Sequence, residues 1–360
     1  MPFYPSIKRY RKKDRERTVD SLQRLRAKLT RDIPPRDVED NLLLATWNLR
    51  DFDSNKFGHG PRLNESFHYI AEVISRFDIV ALQEINDDLK PFKRVMSLLG
   101  PWWDYITTDV TAGPGGNNER GTIVYDRRKV RFDNIAGEIV LPDRTLVAGE
   151  KQFSRTPYMV SFKAGWFNFS LCTVHIYFGA DSGDKLARRV DEIKKIAEFL
   201  AKRAKKEDSN MILLGDFNIV SPEHKTMKAL LEAGFRVPDN LRHPTNAMRN
   251  KFYDQIAFRV REDELKLARY HSHDSSGVFE LFRSVFRTSD WEEYFDVVKA
   301  DSSRDTENWM KDRDGDPTDD AGKQRYYKRD WRTFQMSDHL PLWVALKINF
   351  TDEYLKEIEA

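Results

Sequence analysis

Eight short runs of apolar residues punctuate the chain, each β-branched or aromatic in character and too short to be a helix. They are "LLLATW" from residue 42, "IVALQE" from 79, "TIVYD" from 122, "YMVSF" from 158, "FNFSLCTVH" from 167, "MILLGDF" from 211, "FYDQIAF" from 252 and "LPLWVALKI" from 340. Runs of this kind predict interior strands, buried on both faces. Between them, apolar residues three and four apart predict helices over 18–31, 64–77, 184–206 and 222–233, the last with Pro222 near its start. "IPPRD" at 33–37 breaks the first helix and makes a short linker. Strands alternating with helices predict an α/β fold. The organisation expected is a basic helical arm and linker (1–37), a catalytic domain (38–350) and a short tail (351–360). Within that domain, residues 262–335 are polar and aromatic and read as a long loop inserted between two strands.

Composition narrows the class. Forty per cent hydrophobic and 12% aromatic residues are enough for a packed core, and no apolar run is long enough to span a bilayer. The one cysteine, Cys172, excludes an internal disulfide framework. With no apolar segment behind the basic N-terminus, the expected location is cytoplasmic. Charge is unevenly placed. Residues 1–32 carry eleven Lys and Arg against four Asp and Glu, a surplus of seven that leaves minus five for the other 328 residues. A basic arm on a slightly acidic body suits a polyanionic partner.

Chemistry collects at the strand ends. Asn48 and Glu84 close the first two strands, and His175 closes "LCTVH". Asp216 and Asn218 close "ILLGDFN", Asp254 opens "DQIAF", and Asp338 and His339 precede the last strand. One such residue is ordinarily a cap or a loop contact. Six strand ends carrying the same kind of group imply one shared edge. Glu84, Asp216, Asp338, Asn48 and Asn218 converging there make an all-oxygen ligand set, suited to magnesium or manganese, with calcium also accommodated, rather than to zinc. Carboxylates crowded together repel one another, and one or two divalent ions resolve that while drawing in a phosphate.

In this order, "WN", "QE", a histidine after a strand, "GDFN", "YDQI" and "SDHLP" resemble the endonuclease/exonuclease/phosphatase superfamily, in its deoxyribonuclease-I-like branch, across about residues 42–348. The resemblance implies a four-layer α/β sandwich of two packed mixed β-sheets flanked by helices. It also implies residue roles. Glu84, Asn48 and Asp338 match metal-binding positions, and Asp216 and Asn218 match the pair that orients the phosphate and binds a second metal in many members. His339 matches the histidine that activates water, held by Asp254. His175 matches the histidine that protonates the leaving oxygen, held by Glu119 in "NNERG". Arg155 matches a phosphate-contacting arginine. The activity implied is endonucleolytic cleavage of DNA by in-line attack of water. Two rivals stand beside it: a small-molecule or lipid phosphatase of the same superfamily, and a non-catalytic nucleic-acid-binding protein. The chain departs from the branch at Asn86, where an arginine that enters the minor groove is common.

Weaker signals remain. "KQRYYKRDWRTF" interleaves Lys323, Arg325, Lys328 and Arg329 with rings; it reads equally as a nucleic-acid surface, together with Arg120, or as a loop packing its rings on the sheet. "GPGGNN" at 113–118 reads as a hairpin loop or a substrate cover, and "DRDGDPTDD" from 312 as a solvated turn. The stripe of the 18–31 helix needs a cover: its own domain, nucleic acid, a second copy, or a protein regulator.

Overall fold

The computed structural model describes residues 2–111, 118–149, 151–261, 266–300 and 319–359. Eleven strands among them build two mixed sheets. The first has the order β10-β11-β1-β2-β4-β3, made of Ser276–Val278, Leu342–Lys347, Asn41–Phe52, Ile79–Asn86, Glu119–Asp126 and Trp103–Thr107. The second has the order β5-β6-β7-β8-β9, made of Arg131–Glu138, Tyr158–Ala164, Phe167–His175, Asn210–Asp216 and Asp254–Arg259. In each sheet one central pair is parallel, β1 with β2 and β7 with β8.

Strand β1 shows why its sequence is apolar at nearly every position. Leu42 and Leu44 face the second sheet and join the core shared with β6–β9. Leu43, Ala45 and Trp47 face the other way, into a core formed with α1 (Lys12–Asp32), α2 (Asn64–Ile74) and α3 (Lys90–Leu99). Period-2 alternation thus fills two cores from one strand. On the far side, α4 (Gly183–Glu207) and α5 (Lys225–Glu232) cover the second sheet through Ile193, Ile196, Leu200, Met227 and Leu230. Helices, sheet, sheet, helices: the four layers expected from the resemblance. All eight expected strands are present, and no helix among the described residues is long and apolar enough to cross a membrane.

The segment 262–335 is not the polar loop expected. Its described parts include α6 (Trp291–Ala300) and the helical turns Asp320–Tyr326, Tyr327–Trp331 and Arg332–Gln335. Phe286, Tyr294, Tyr327 and Trp331 are buried against one another and against α2. Aromatic content outweighed the charges around it: the rings of "RYYKRDW" pack inward, which is the packing alternative of the two. Most of "DRDGDPTDD" and of "GPGGNN" lies outside the described residues.

The arm docks on its own domain. Leu22, Leu25 and Leu29 of α1 enter the core with α2. Below them Arg17 makes a buried two-pronged ion pair with Glu65, at 2.7 and 3.1 Å, and Tyr294 of α6 donates to the same carboxylate. Arg17→Met strands that carboxylate with only hydroxyl donors. We expect a loss of about 3 kcal/mol in chemical denaturation, and no change for the exposed Lys12→Ala.

Candidate active site

The two sheets meet at one edge with their polar ends together. In the second sheet the register does this directly. His175 pairs with Asp216 across β7 and β8, and Asp216 with Asp254 across β8 and β9, so three chemical side chains stand abreast. Gly215 permits the approach: its φ is +132°, and a Cβ there would lie 2.1 Å from the carbonyl oxygen of Val174. In the first sheet the aim comes from irregularity. Between Leu82 and Ile85 strand β2 carries an extra residue against β4, and β1 slips between Asn48 and Phe52. Glu84 sits at the bulge with φ +61°, a backbone conformation that strains any residue but glycine and is spent here on pointing a carboxylate. Gln83 ties the sheets beneath the site, donating to Thr46 at 3.1 Å and to Thr173 at 2.9 Å.

Two histidine–carboxylate pairs face each other. His339 Nδ1 lies 2.8 Å from Asp254 Oδ2, and His175 Nδ1 lies 2.7 Å from Glu119 Oε2. A carboxylate only accepts, so each Nδ1 carries the hydrogen and each Nε2 is left for chemistry. Those two Nε2 atoms converge on one oxygen: Asp216 Oδ2 is 3.6 Å from that of His175 and 3.7 Å from that of His339. Ser337 fixes the approach of His339, donating to the Asn48 carbonyl at 2.6 Å and accepting from the His339 backbone at 2.9 Å.

Burial alone would discharge both rings. For His339 the charges of Asp254 and Asp216 outweigh it and hold the pKa well above 6.5. For His175, burial and Arg155 push down, and Glu119 and Asp216 prevail, raising it. Glu119 answers in the opposite direction: burial pushes its carboxyl up, but His175 and Arg155 pull it down to about 2. A carboxyl lowered from 4.5 contributes stability that is present above the unfolded value and lost as pH falls toward 2. Glu119→Gln is therefore expected to destabilise by about 3 kcal/mol near pH 6. The gap from the parent closes in denaturant titrations run at successively lower pH. A gap independent of pH contradicts this.

Asn48 binds the carboxylates together. Its amide donates to Glu84 at 2.8 Å and to Asp216 at 3.2 Å, while the Asp51 backbone donates to Glu84 at 2.7 Å. Asn218 takes its place through its backbone, which donates to Asp216 at 2.9 Å, and through its amide, which donates to the Ile176 carbonyl at 2.8 Å. Arg155 is held at Nε by Glu119. Asp338 is partly exposed, with Arg50 Nε 3.7 Å from its carboxylate, and its charge reaches His339. Arg120 is occupied by the Thr108 carbonyl and Asp109. Lys323 pairs with Asp320, while Arg325 and Arg329 stand exposed and Lys328 half-buried, on a helix that packs by its rings.

Two residues escaped the reading of the sequence. Arg50, in "WNLR", has its guanidinium 3.7 Å above the Phe334 ring, beside Asp338; a cation two places after Asn48 was its signal. Arg189 reads as one more cation on the polar face of a helix, but it is fully buried. It donates to the carbonyls of Phe178, Ala180 and Asn218, an arrangement with no signature in helical spacing. A roomier cavity of about 680 Å³ opens at the far end of the second sheet, around Lys205, Arg236 and Arg261. None of its described lining residues is a histidine; both histidine–carboxylate pairs stand at the other end of the sheet.

A family model described as the endonuclease/exonuclease/phosphatase family matches residues 45–253, more than half of the chain. Deoxyribonuclease-1 of Bos taurus is 24% identical over 234 residues, which cover 60% of this chain and 76% of that protein. Deoxyribonuclease-1 of Equus caballus is 25% identical over 191 residues, 49% of this chain and 61% of that protein. Among solved structures, a conserved protein of unknown function from Enterococcus faecalis V583 superposes with a TM-score of 0.52 at 14% identity, covering 85% of this chain and 99% of that one.

Proposed function

The chain belongs to the endonuclease/exonuclease/phosphatase family, and from there we propose that it is a divalent-metal-dependent phosphodiesterase that cuts DNA within the strand. One observation carries the reading: two histidines, each backed by a carboxylate, bring their Nε2 atoms within 3.6 and 3.7 Å of a single Asp216 oxygen. A proton acceptor and a proton donor that share one carboxylate neighbour suit work on a single phosphoryl group.

The residues present fit a hard cation. Glu84 and Asp216 share one Asn48 amide, and Asp216 and Asp254 stand directly across adjacent strands, where like charges are destabilising. Oxygen donors in that density suit magnesium or manganese. Glu84, Asn48 and Asp216 would hold the ion, with Asp338 and Asn218 at its margin; when bound, it neutralises charge building on the phosphoryl group.

The chain's own groups do the rest. In its neutral form His339 takes the proton from the attacking water, and Asp254 fixes its tautomer and supports the imidazolium that results; a bound cation, countering the charge of Asp216, would favour that neutral form. His175, whose imidazolium Glu119 supports, delivers a proton to the departing 3′ oxygen, leaving a 5′-phosphate and a 3′-hydroxyl. Arg155, anchored through Nε on Glu119, meets the non-bridging oxygens. The deoxyribonucleases among the relatives support nucleic acid over a small phosphoester. The test is end analysis of circular DNA cut by the purified protein with manganese. Internal breaks that DNA ligase reseals are expected. Indifference to DNA alongside rapid release of phosphate from an inositol phosphate would move the substrate to the small-molecule rival.

A further inference from the structure

Beside His339 the cleft has an aromatic shoulder that the hydrolytic roles leave unused. Phe178 lies three residues beyond His175, on the loop that leaves β7, and its ring is 46% exposed. A single exposed ring is ordinary on a protein surface. This one is held in place. Its carbonyl accepts from Arg189 Nε at 2.8 Å, and the guanidinium of that fully buried arginine lies 4.9 Å from the centre of the Phe178 ring. Arg189 also donates to the Asn218 carbonyl at 3.0 Å, so one side chain fixes both the ring and a residue of the catalytic edge. Gly179 shapes the turn: its φ is +63°, and a Cβ there would lie 2.4 Å from the Tyr177 ring.

The ring is continuous with the chemistry. Phe178 meets Tyr253 edge-on, with centroids 6.2 Å apart and planes at 89°, and Tyr253 lies 5.5 Å from the His339 ring at 30°. A pinned, half-exposed ring joined through Tyr253 to His339 is a surface for stacking another planar group.

We propose that Phe178, backed by Tyr253, is a stacking subsite for an unpaired nucleobase adjoining the scissile phosphate. The inference rests on the nucleic-acid reading above and narrows it. In a duplex both faces of a base are already covered by its neighbours, so a protein ring gains a base face only where a base has left the stack. Single-stranded or locally opened DNA is therefore the preferred substrate, and duplex DNA is cut mainly where it opens.

The experiment uses a single-stranded oligonucleotide with one hydrolysable phosphodiester among methylphosphonate linkages. One version carries natural bases on both sides of that bond, the other abasic residues. Wild type, Phe178→Ala, Phe178→Leu and Phe178→Trp are compared with manganese present. On natural bases, the alanine and leucine variants are expected to lose about tenfold in kcat/KM, carried by KM, with tryptophan near wild type. Abasic flanks bring wild type down by a similar factor and erase the differences among the variants. Unchanged kinetics of Phe178→Ala on natural bases overturn the subsite, as does an equal loss on both oligonucleotides, which marks a merely structural role. A wild-type protein that cleaves neither oligonucleotide nor plasmid removes the nucleic-acid reading itself, and this inference with it.

Discussion

His339→Ala is expected to lower kcat for phosphodiester hydrolysis by about three orders of magnitude, with KM little changed. The ring has no substitute in place: among the described residues near Asp216, the other imidazole, His175, is tied through Nδ1 to Glu119. His175→Ala separates the two roles. A proton donor matters in proportion to the basicity of the leaving oxygen. The His175 variant is expected to lose two or more orders of magnitude on DNA, whose leaving alkoxide is strongly basic, and far less on bis-nitrophenyl phosphate, whose leaving phenolate departs unaided. The His339 variant loses on both. Equal losses for His175→Ala on the two substrates would contradict its assignment as the acid. Asp254 supplies a further check. In the metal-free protein the His339 imidazole is expected to titrate above 6.5 by NMR, because Asp254 and Asp216 overcome its burial. Asp254→Asn brings that titration down and cuts the rate together.

Removal of the divalent ion is expected to be as severe. Chelation abolishes turnover, magnesium or manganese restores it, and Glu84→Gln keeps less than one hundredth of the activity at saturating metal. The same experiment has a readout that needs no substrate. A cation that binds only the folded chain adds about 2.7 kcal/mol at one hundred times its dissociation constant, so the wild-type melting temperature climbs with metal. In Glu84→Gln that climb shrinks or disappears. The chelated variant is expected to be at least as stable as the chelated parent. Its amide oxygen still accepts from Asp51, and one charge leaves a site where Glu84 and Asp216 share an amide. A melting temperature indifferent to magnesium and manganese in the wild type would contradict the metal site.

Most of the site was legible because strands leave their signature at their ends. Buried strands are apolar without relief, so Glu84, His175, Asp216 and Asp254 stand out as single polar groups at their boundaries, and register then brings three of them abreast. What the sequence hid has physical reasons. The bulge that aims Glu84 depends on a positive φ at a residue type that rarely adopts one. Strand β5 is exposed along most of its length and lacks an apolar pattern, and β3 is only five residues long, whereas α3 carries Phe92, Val95 and Leu99 at helical spacing, a signal the sequence does offer. Arg189, inside the fold, looks like its exposed neighbour Lys194 until its carbonyl partners are placed. The segment beyond residue 262 misled for the opposite reason: its charges are those of a loop, yet Tyr294, Tyr327 and Trp331 belong to the core.

The central claim is that two histidines and a divalent cation hydrolyse phosphodiesters at this sheet edge. Its most direct test is conversion of supercoiled plasmid to nicked circles by the purified full chain, in magnesium or manganese and in chelator, beside His175→Ala and His339→Ala. Nicking by the wild type that needs the metal and falls at least a hundredfold in both variants is the result predicted here. Nicking that survives chelation, or that persists undiminished in either histidine variant, would contradict it.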